Sequence, residues 1–149
     1  MRSKTGQFFI CKVRYEKTCD DGLQKKVTES YVVDALSFTE AEARITEEMA
    51  SYINGEFTIE DISKAQFKEI FFTEDGVAEK WYKAKLQFIT IDEATEKEKR
   101  SSVIYLVQAN TLKGAITNID DVMSGTMIDY VSCAVQETTF EEVFEYAKD

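Results

Sequence analysis

The sequence predicts an α+β fold: two tandem, diverged ββαβ repeats that form one pseudo-twofold antiparallel sheet or barrel with two helices on one face. Three observations carry this expectation. The chain resembles itself at an offset of 73 to 74 residues, each half opens with a strand of period-two alternation, and each half carries a capped amphipathic segment after its second strand.

The self-similarity runs through most of the chain. "CKVRYEK" superposes on "AKLQFIT" at an offset of 73, as from Lys12 to Lys85, and sets Val13 with Leu86 and Tyr15 with Phe88. "YVVDALSFTEAEARI" superposes on "YLVQANTLKGAITNI" at 74, which pairs Tyr31 with Tyr105, Val33 with Val107, Ala35 with Ala109, Ala41 with Ala115 and Ile45 with Ile119. "FKEIF" and "FEEVF" return to 73. One domain, 1–149, is expected, built of repeats at about 7–72 and 80–144 joined by a linker at 73–79.

In the first repeat Phe9, Cys11, Val13 and Tyr15 alternate along a strand that leads into the polar turn "KTCDDGLQKK". The second repeat matches this with Tyr82, Ala84, Leu86 and Phe88 before "TIDEATEKEKR". Each strand and turn reads as the first arm of a hairpin, whose second arm is "ESYVVDA" or "SVIYLVQA". A helix then starts at Ser37 with Glu40, or Thr39 with Glu42, both at capping-box spacing, and at Thr111 in the second repeat. The first helix is expected to end at Asn54-Gly55 and the second at Ser124-Gly125, with glycine in a left-handed C-terminal turn. Ala41, Ile45, Met49 and Tyr52 or Ile53 form its apolar stripe. The third strand is read at "KAQFKEIFF" and "DYVSCAVQET", and the final "TFEEVFEYAKD" as a short helix or a frayed strand.

Composition narrows the function classes. A chain of 149 residues with 44% hydrophobic and 12% aromatic content has enough apolar material for a packed core without metal or disulfide. No run approaches the ~18 apolar residues of a membrane span and no secretory h-region opens the chain, so a cytoplasmic protein is expected. Cys11, Cys19 and Cys133 are odd in number and lack C-x-x-C spacing, which points to reduced thiols rather than ligands. With no histidine there is no imidazole base or His-paired nucleophile, and six glycines supply no phosphate-binding loop. The carboxylate pairs Asp20-Asp21 and Asp120-Asp121 fall where turns and helix surfaces are ordinarily acidic. No enzyme activity, cofactor or metal is expected.

Alternation places Phe8, Ile10, Lys12 and Arg14 on the face away from the helices, and Trp81, Lys83, Lys85 and Gln87 correspondingly in the second repeat. Rings beside cations are the chemistry of single-strand binding, where each stacked base contributes roughly 1–3 kcal/mol and Lys or Arg neutralises the backbone. Phe8, Lys12, Arg14, Trp81, Lys83 and Lys85 are thus the candidate nucleic-acid-binding residues, and the acidic tail "FEEVFEYAKD" is of a kind that single-strand binders often carry. The formal net charge of −10 opposes such binding except at a local basic face. The alternative is an acidic homodimeric interaction or inhibitor protein that binds no nucleic acid: the same row with Val32, Ile104 and Leu106 would be a second buried face, a homodimer interface or a strip that blocks a partner, its cations paired to carboxylates such as Glu16 and Glu69.

The motifs "KVRYEK", "VDALSFTEAEAR" and "KWYKAK" resemble those of a family known only as domain of unknown function 4494, met in Bacteroides-group bacteria and their phages. The resemblance covers nearly the whole chain. It implies a cytoplasmic bacterial or phage-encoded setting, plausible for replication or mobile-element functions, and supplies no activity and no site residue.

Overall fold

The computed structural model describes residues 1–74 and 78–146. In chain order these form β1 (Arg2–Thr5), β2 (Phe8–Thr18), β3 (Gln24–Asp34), α1 (Phe38–Tyr52), β4 (Phe57–Lys64), β5 (Glu69–Phe72), β6 (Lys80–Ile91), β7 (Glu98–Ala109), α2 (Leu112–Ser124), β8 (Asp129–Glu137) and β9 (Phe140–Phe144). The described strands make two open sheets, ordered β1-β5-β7-β6-β8 and β4-β2-β3-β9. The fold is mixed α and β, as expected, but the expected single sheet or closed barrel is corrected. The outer edge of each long hairpin is taken by a short parallel strand, β9 on β3 and β5 on β7, so that edge is not left to join the other hairpin.

The chain divides into two compact units. One contains Met1–Thr5 with Gln66–Thr138; the other contains Gly6–Ala65 with the end of the chain from Thr139. β5, in the first half of the sequence, thus belongs to the five-stranded sheet, and β9, in the second half, to the four-stranded one. Residues 75–77 of the expected linker 73–79 lie outside the described residues. On either side of them, Thr73 N donates to Gln108 Oε1 at 3.0 Å and Gln108 Nε2 donates to Ala78 O at 2.8 Å.

In the four-stranded unit β2 and β3 pair from Phe8↔Asp34 to Thr18↔Gln24. Gly22, at φ 84°, lets the chain turn, and Asp21 Oδ1 accepts from Leu23 N at 3.0 Å beside it. Cys11, Val13, Tyr31 and Val33 bury their side chains with Ile45 and Met49 of α1, and Phe9 does so with Ala35 and Ala41. The period-two face and the helical stripe therefore meet as the sequence predicts. Ser37 Oγ caps α1 by accepting from Glu40 N at 3.1 Å, while Glu40 Oε1 accepts from Leu36 N at 3.1 Å. The stripe ends on Ile53, which packs in this core; Tyr52 is 65% exposed.

The five-stranded unit repeats the scheme with β6 and β7 paired from Lys80↔Ala109 to Ile91↔Glu98. Its core gathers Tyr82, Ala84, Leu86 and Val107 with Ala115, Ile119 and Met123 of α2, plus Phe71 of β5. Thr111 Oγ1 caps α2 from Gly114 N at 3.0 Å. Beyond α2 the left-handed residue is Met127 (φ 58°), not Gly125, whose φ is −85°. The third strand of the first half is β4, which ends at Lys64 where "KAQFKEIFF" begins; the "EIFF" of that stretch is β5. "FEEVF" is strand, not helix. No helix of the described residues is long and apolar enough to cross a membrane.

Candidate interaction surface

The structure separates the six residues nominated from sequence into rings and cations. Phe8, Lys12 and Arg14 lie at alternate positions of β2, and Trp81, Lys83 and Lys85 at alternate positions of β6. Phe8 is 1% exposed and Trp81 3%. Trp81 packs edge-on to Phe72 with centroids 5.3 Å apart, and its backbone carbonyl accepts from Thr138 N and Oγ1, both at 2.8 Å. Lys12, Arg14 and Lys85 are exposed and Lys83 half-buried. Arg14 Nη1 is held 3.3 Å from Glu60 Oε1.

The magnitudes bear on stacking. Bringing a buried aromatic side chain to the surface costs roughly 1.5–3 kcal/mol. A stacked base returns about 1–3 kcal/mol, so neither ring gains from leaving its place. The other apolar members of that row behave likewise: Val32 and Leu106 are buried, and Ile10 and Ile104 half-buried.

The remaining candidates have local roles. Asp21 serves the β2–β3 turn, and Asp120 Oδ1 accepts from Tyr130 Oη at 2.5 Å. Among the described residues no three His, Cys, Asp or Glu side chains gather as a metal site. Burial first, and then the negative charge of Asp61, push the Cys11 thiol up to about 12, so the free thiol stays protonated at neutral pH. Cys133 is exposed.

The accessible features that sequence reasoning missed lie at the sheet edges. β4 pairs with β2 alone and β8 with β6 alone among the described strands, so each presents one side of its backbone outward. Both carry a bulge in the same place. The register steps from Lys12↔Asp61 to Val13↔Ile59 and skips Glu60; it steps from Lys85↔Ala134 to Leu86↔Ser132 and skips Cys133. Beside β4, Phe38, Thr39 and Glu42 of α1 with Ile59, Glu60, Asp61 and Ile62 line an open cavity of about 660 Å³. The signal for β4 was present in the sequence: "FTIEDISK" matches "YVSCAVQE" at the 73-residue offset, with Phe57 on Tyr130 and Ile62 on Val135, but the bulge breaks its alternation.

Two polar clusters stiffen the four-stranded unit. Tyr15 and Tyr31 both donate to Glu29 Oε1, the latter at 3.3 Å, with Lys17 Nζ 4.0 Å from the same carboxylate. Burial and then the bond to Glu29 push the Tyr15 phenol up to about 12, and burial raises Tyr31 as well. On α1, Arg44 pairs with Glu40 at 3.0 Å, donates to Asp34 O, and lies 4.1 Å over the ring of Tyr146, whose hydroxyl donates to Glu48 Oε1 at 3.2 Å. The segment read as an acidic tail is therefore sheet and helix contact as far as Tyr146; residues 147–149 lie outside the described residues.

No curated protein and no solved structure matches this chain. Residues 7–146 match the family described as Domain of unknown function (DUF4494), and with nearly its whole length inside that match the chain belongs to this family.

Proposed function

We propose that the protein is a non-enzymatic, acidic interaction module that binds another protein through the open edges of its sheets. One contrast carries this reading: Phe8 and Trp81 are 1% and 3% exposed, whereas all of β8 but Tyr130 and Val135, and all of β4 but Phe57, Ile59 and Ile62, is exposed. A free strand edge is a row of hydrogen-bond donors and acceptors suited to an extended segment of a partner. The net charge of −10 favours a different, more basic protein over a second copy of this one. The resemblance between the halves supports an origin by duplication, after which the two edges diverged. Family membership fits a cytoplasmic bacterial or phage-encoded setting.

Photo-crosslinking tests this. A photoreactive residue at Ser63 on β4 or Gln136 on β8, in the producing cell, is expected to yield a discrete protein adduct that the same probe at Lys25, on the β2–β3 hairpin, does not. Identical adduct patterns from all three positions contradict the proposal. A second reading, single-stranded DNA or RNA held by Lys12, Arg14, Lys83 and Lys85, draws support from three of these cations being exposed at alternate strand positions. It requires that a labelled oligonucleotide gain anisotropy with the protein at low salt and lose it when the four are replaced by Gln.

A further inference from the structure

We infer that the cleft between α1 and β4 takes an extended, Lys- or Arg-rich segment of a partner protein as an added strand, an inference that rests on the protein-binding reading above and names its site and ligand chemistry. Geometry supplies the first half. β4 is eight residues long and, among the described strands, paired on one side only, and the cavity runs alongside it under the first turns of α1. A strand laid along this edge would alternate its side chains between the helix-facing cleft and the opposite face.

Charge supplies the second half. Glu42 stands on the helix side of the cleft, and Glu60 and Asp61 lie at the bulge of the edge strand. Asp61 sits opposite Lys12 in register and Ile59 opposite Val13, so the edge strand turns its carboxylate to one face and its apolar side chain to the other. One cation, Arg14, is already engaged with Glu60. The floor is apolar, with Ile59 and Ile62 half-buried, and Phe38 stands 55% exposed at the rim. An incoming segment of alternating basic and apolar residues satisfies both features. A second copy of this chain does not, because antiparallel pairing about the middle of β4 would set Glu60 and Asp61 against their own counterparts.

The corresponding edge in the five-stranded unit sharpens the assignment. There Cys133 and Ala134 occupy the places of Glu60 and Asp61, and α2 offers Ile116 in the place of Glu42, 41% exposed. The edge geometry is shared, while at these three matched positions only the β4 side is charged.

The test is a titration of the full-length, isotopically labelled chain, followed by amide chemical shifts, with an unstructured eight-residue peptide alternating Lys and Val. A peptide of identical pattern in Glu and Val serves as control. Shifts are expected to saturate at Phe38–Glu42 and Ile59–Lys64, to weaken as salt rises, and to weaken at least tenfold in affinity in the triple variant Glu42→Gln, Glu60→Gln, Asp61→Asn. These surface substitutions leave the core intact, and an unchanged amide spectrum elsewhere verifies the fold. Non-saturating shifts spread over all acidic surfaces, equal response to the Glu-Val peptide, or saturation at β8 instead would overturn the inference. Crosslinks from Gln136 without any from Ser63 would likewise sink it while leaving the broader protein-binding reading standing; loss of both adducts sinks the two together.

Discussion

At matching register the long hairpins of the two units pair alike and differ in chemistry. In the four-stranded unit Val13 stands opposite Glu29 and Cys11 opposite Tyr31; in the five-stranded unit Leu86 stands opposite Val103 and Ala84 opposite Tyr105. Tyr15 of the first becomes Phe88 in the second. The carboxylate of Glu29 is satisfied by two tyrosine hydroxyls, whereas the second unit drops the hydroxyl of Phe88 and the acid together and leaves Phe88, Val103 and Tyr105 as apolar packing. The helix clamp changes in the same manner. Asn118 Nδ2 donates to Gln108 O at 3.0 Å where Arg44 donates to Asp34 O, but only the longer Arg44 also reaches Glu40 and Tyr146. The acid and one of its two donors are absent together from the second unit, while Tyr105 keeps the hydroxyl of Tyr31.

The largest way to break the comparison is to end the chain at Thr139. This removes Val143, which is 7% exposed, and the packing of Phe144 and Tyr146 on α1. At roughly 1.5–3 kcal/mol for each large buried side chain, about 4 kcal/mol is lost, a large part of a domain's whole stability. Urea unfolding followed by circular dichroism should split into two phases, while Trp81 fluorescence, which reports the five-stranded unit, keeps its midpoint. A single unshifted transition contradicts the assignment of β9.

Glu29→Val, which imitates Val103, should cost about 1–3 kcal/mol because the hydroxyls of half-buried Tyr15 and buried Tyr31 lose their acceptor. Adding Tyr15→Phe should recover part of that cost. If the double variant is less stable than Glu29→Val by the full effect of an independent mutation, the two residues are not coupled.

The same cluster sets an alkaline limit. Tyr15 titrates near 10 when unfolded and is pushed up to about 12 when folded, so its contribution is complete below pH 10 and disappears as pH rises to 12. Urea midpoints should fall more steeply between pH 10 and 12 in the natural chain than in the Glu29→Val, Tyr15→Phe variant. Equal slopes would remove the cluster from the account. The smallest effect is chemical: a thiol reagent should label exposed Cys133 in the native protein and reach Cys11 only in denaturant, and equal labelling rates would refute the burial of Cys11.

Much of this architecture was legible. Period-two alternation found β2 and β6 because one face of each is continuous core, and Ser37 and Thr111 marked both helix starts because their hydroxyls have backbone donors to satisfy. The β4 strand was hidden, since its bulge at Glu60 shifts the alternation by one residue. Which sheet β5 and β9 join was also hidden: "EIFF" and "FEEVF" carry strand composition, but parallel pairing with a distant strand leaves no local mark. The nominated surface failed to separate rings from cations for a similar reason. Alternation says that Phe8 and Trp81 share a strand face with Lys12 and Lys85, but not that burial stops partway along that face.

The claim on which the rest depends is that the aromatic ends of β2 and β6 are core and not a stacking platform, and Trp81, the one tryptophan, reports on it directly. Its emission should be that of a buried indole and should stay unchanged on adding oligo(dT) to saturating concentration at low salt. A quench that saturates with oligonucleotide and fades as salt rises would contradict the account.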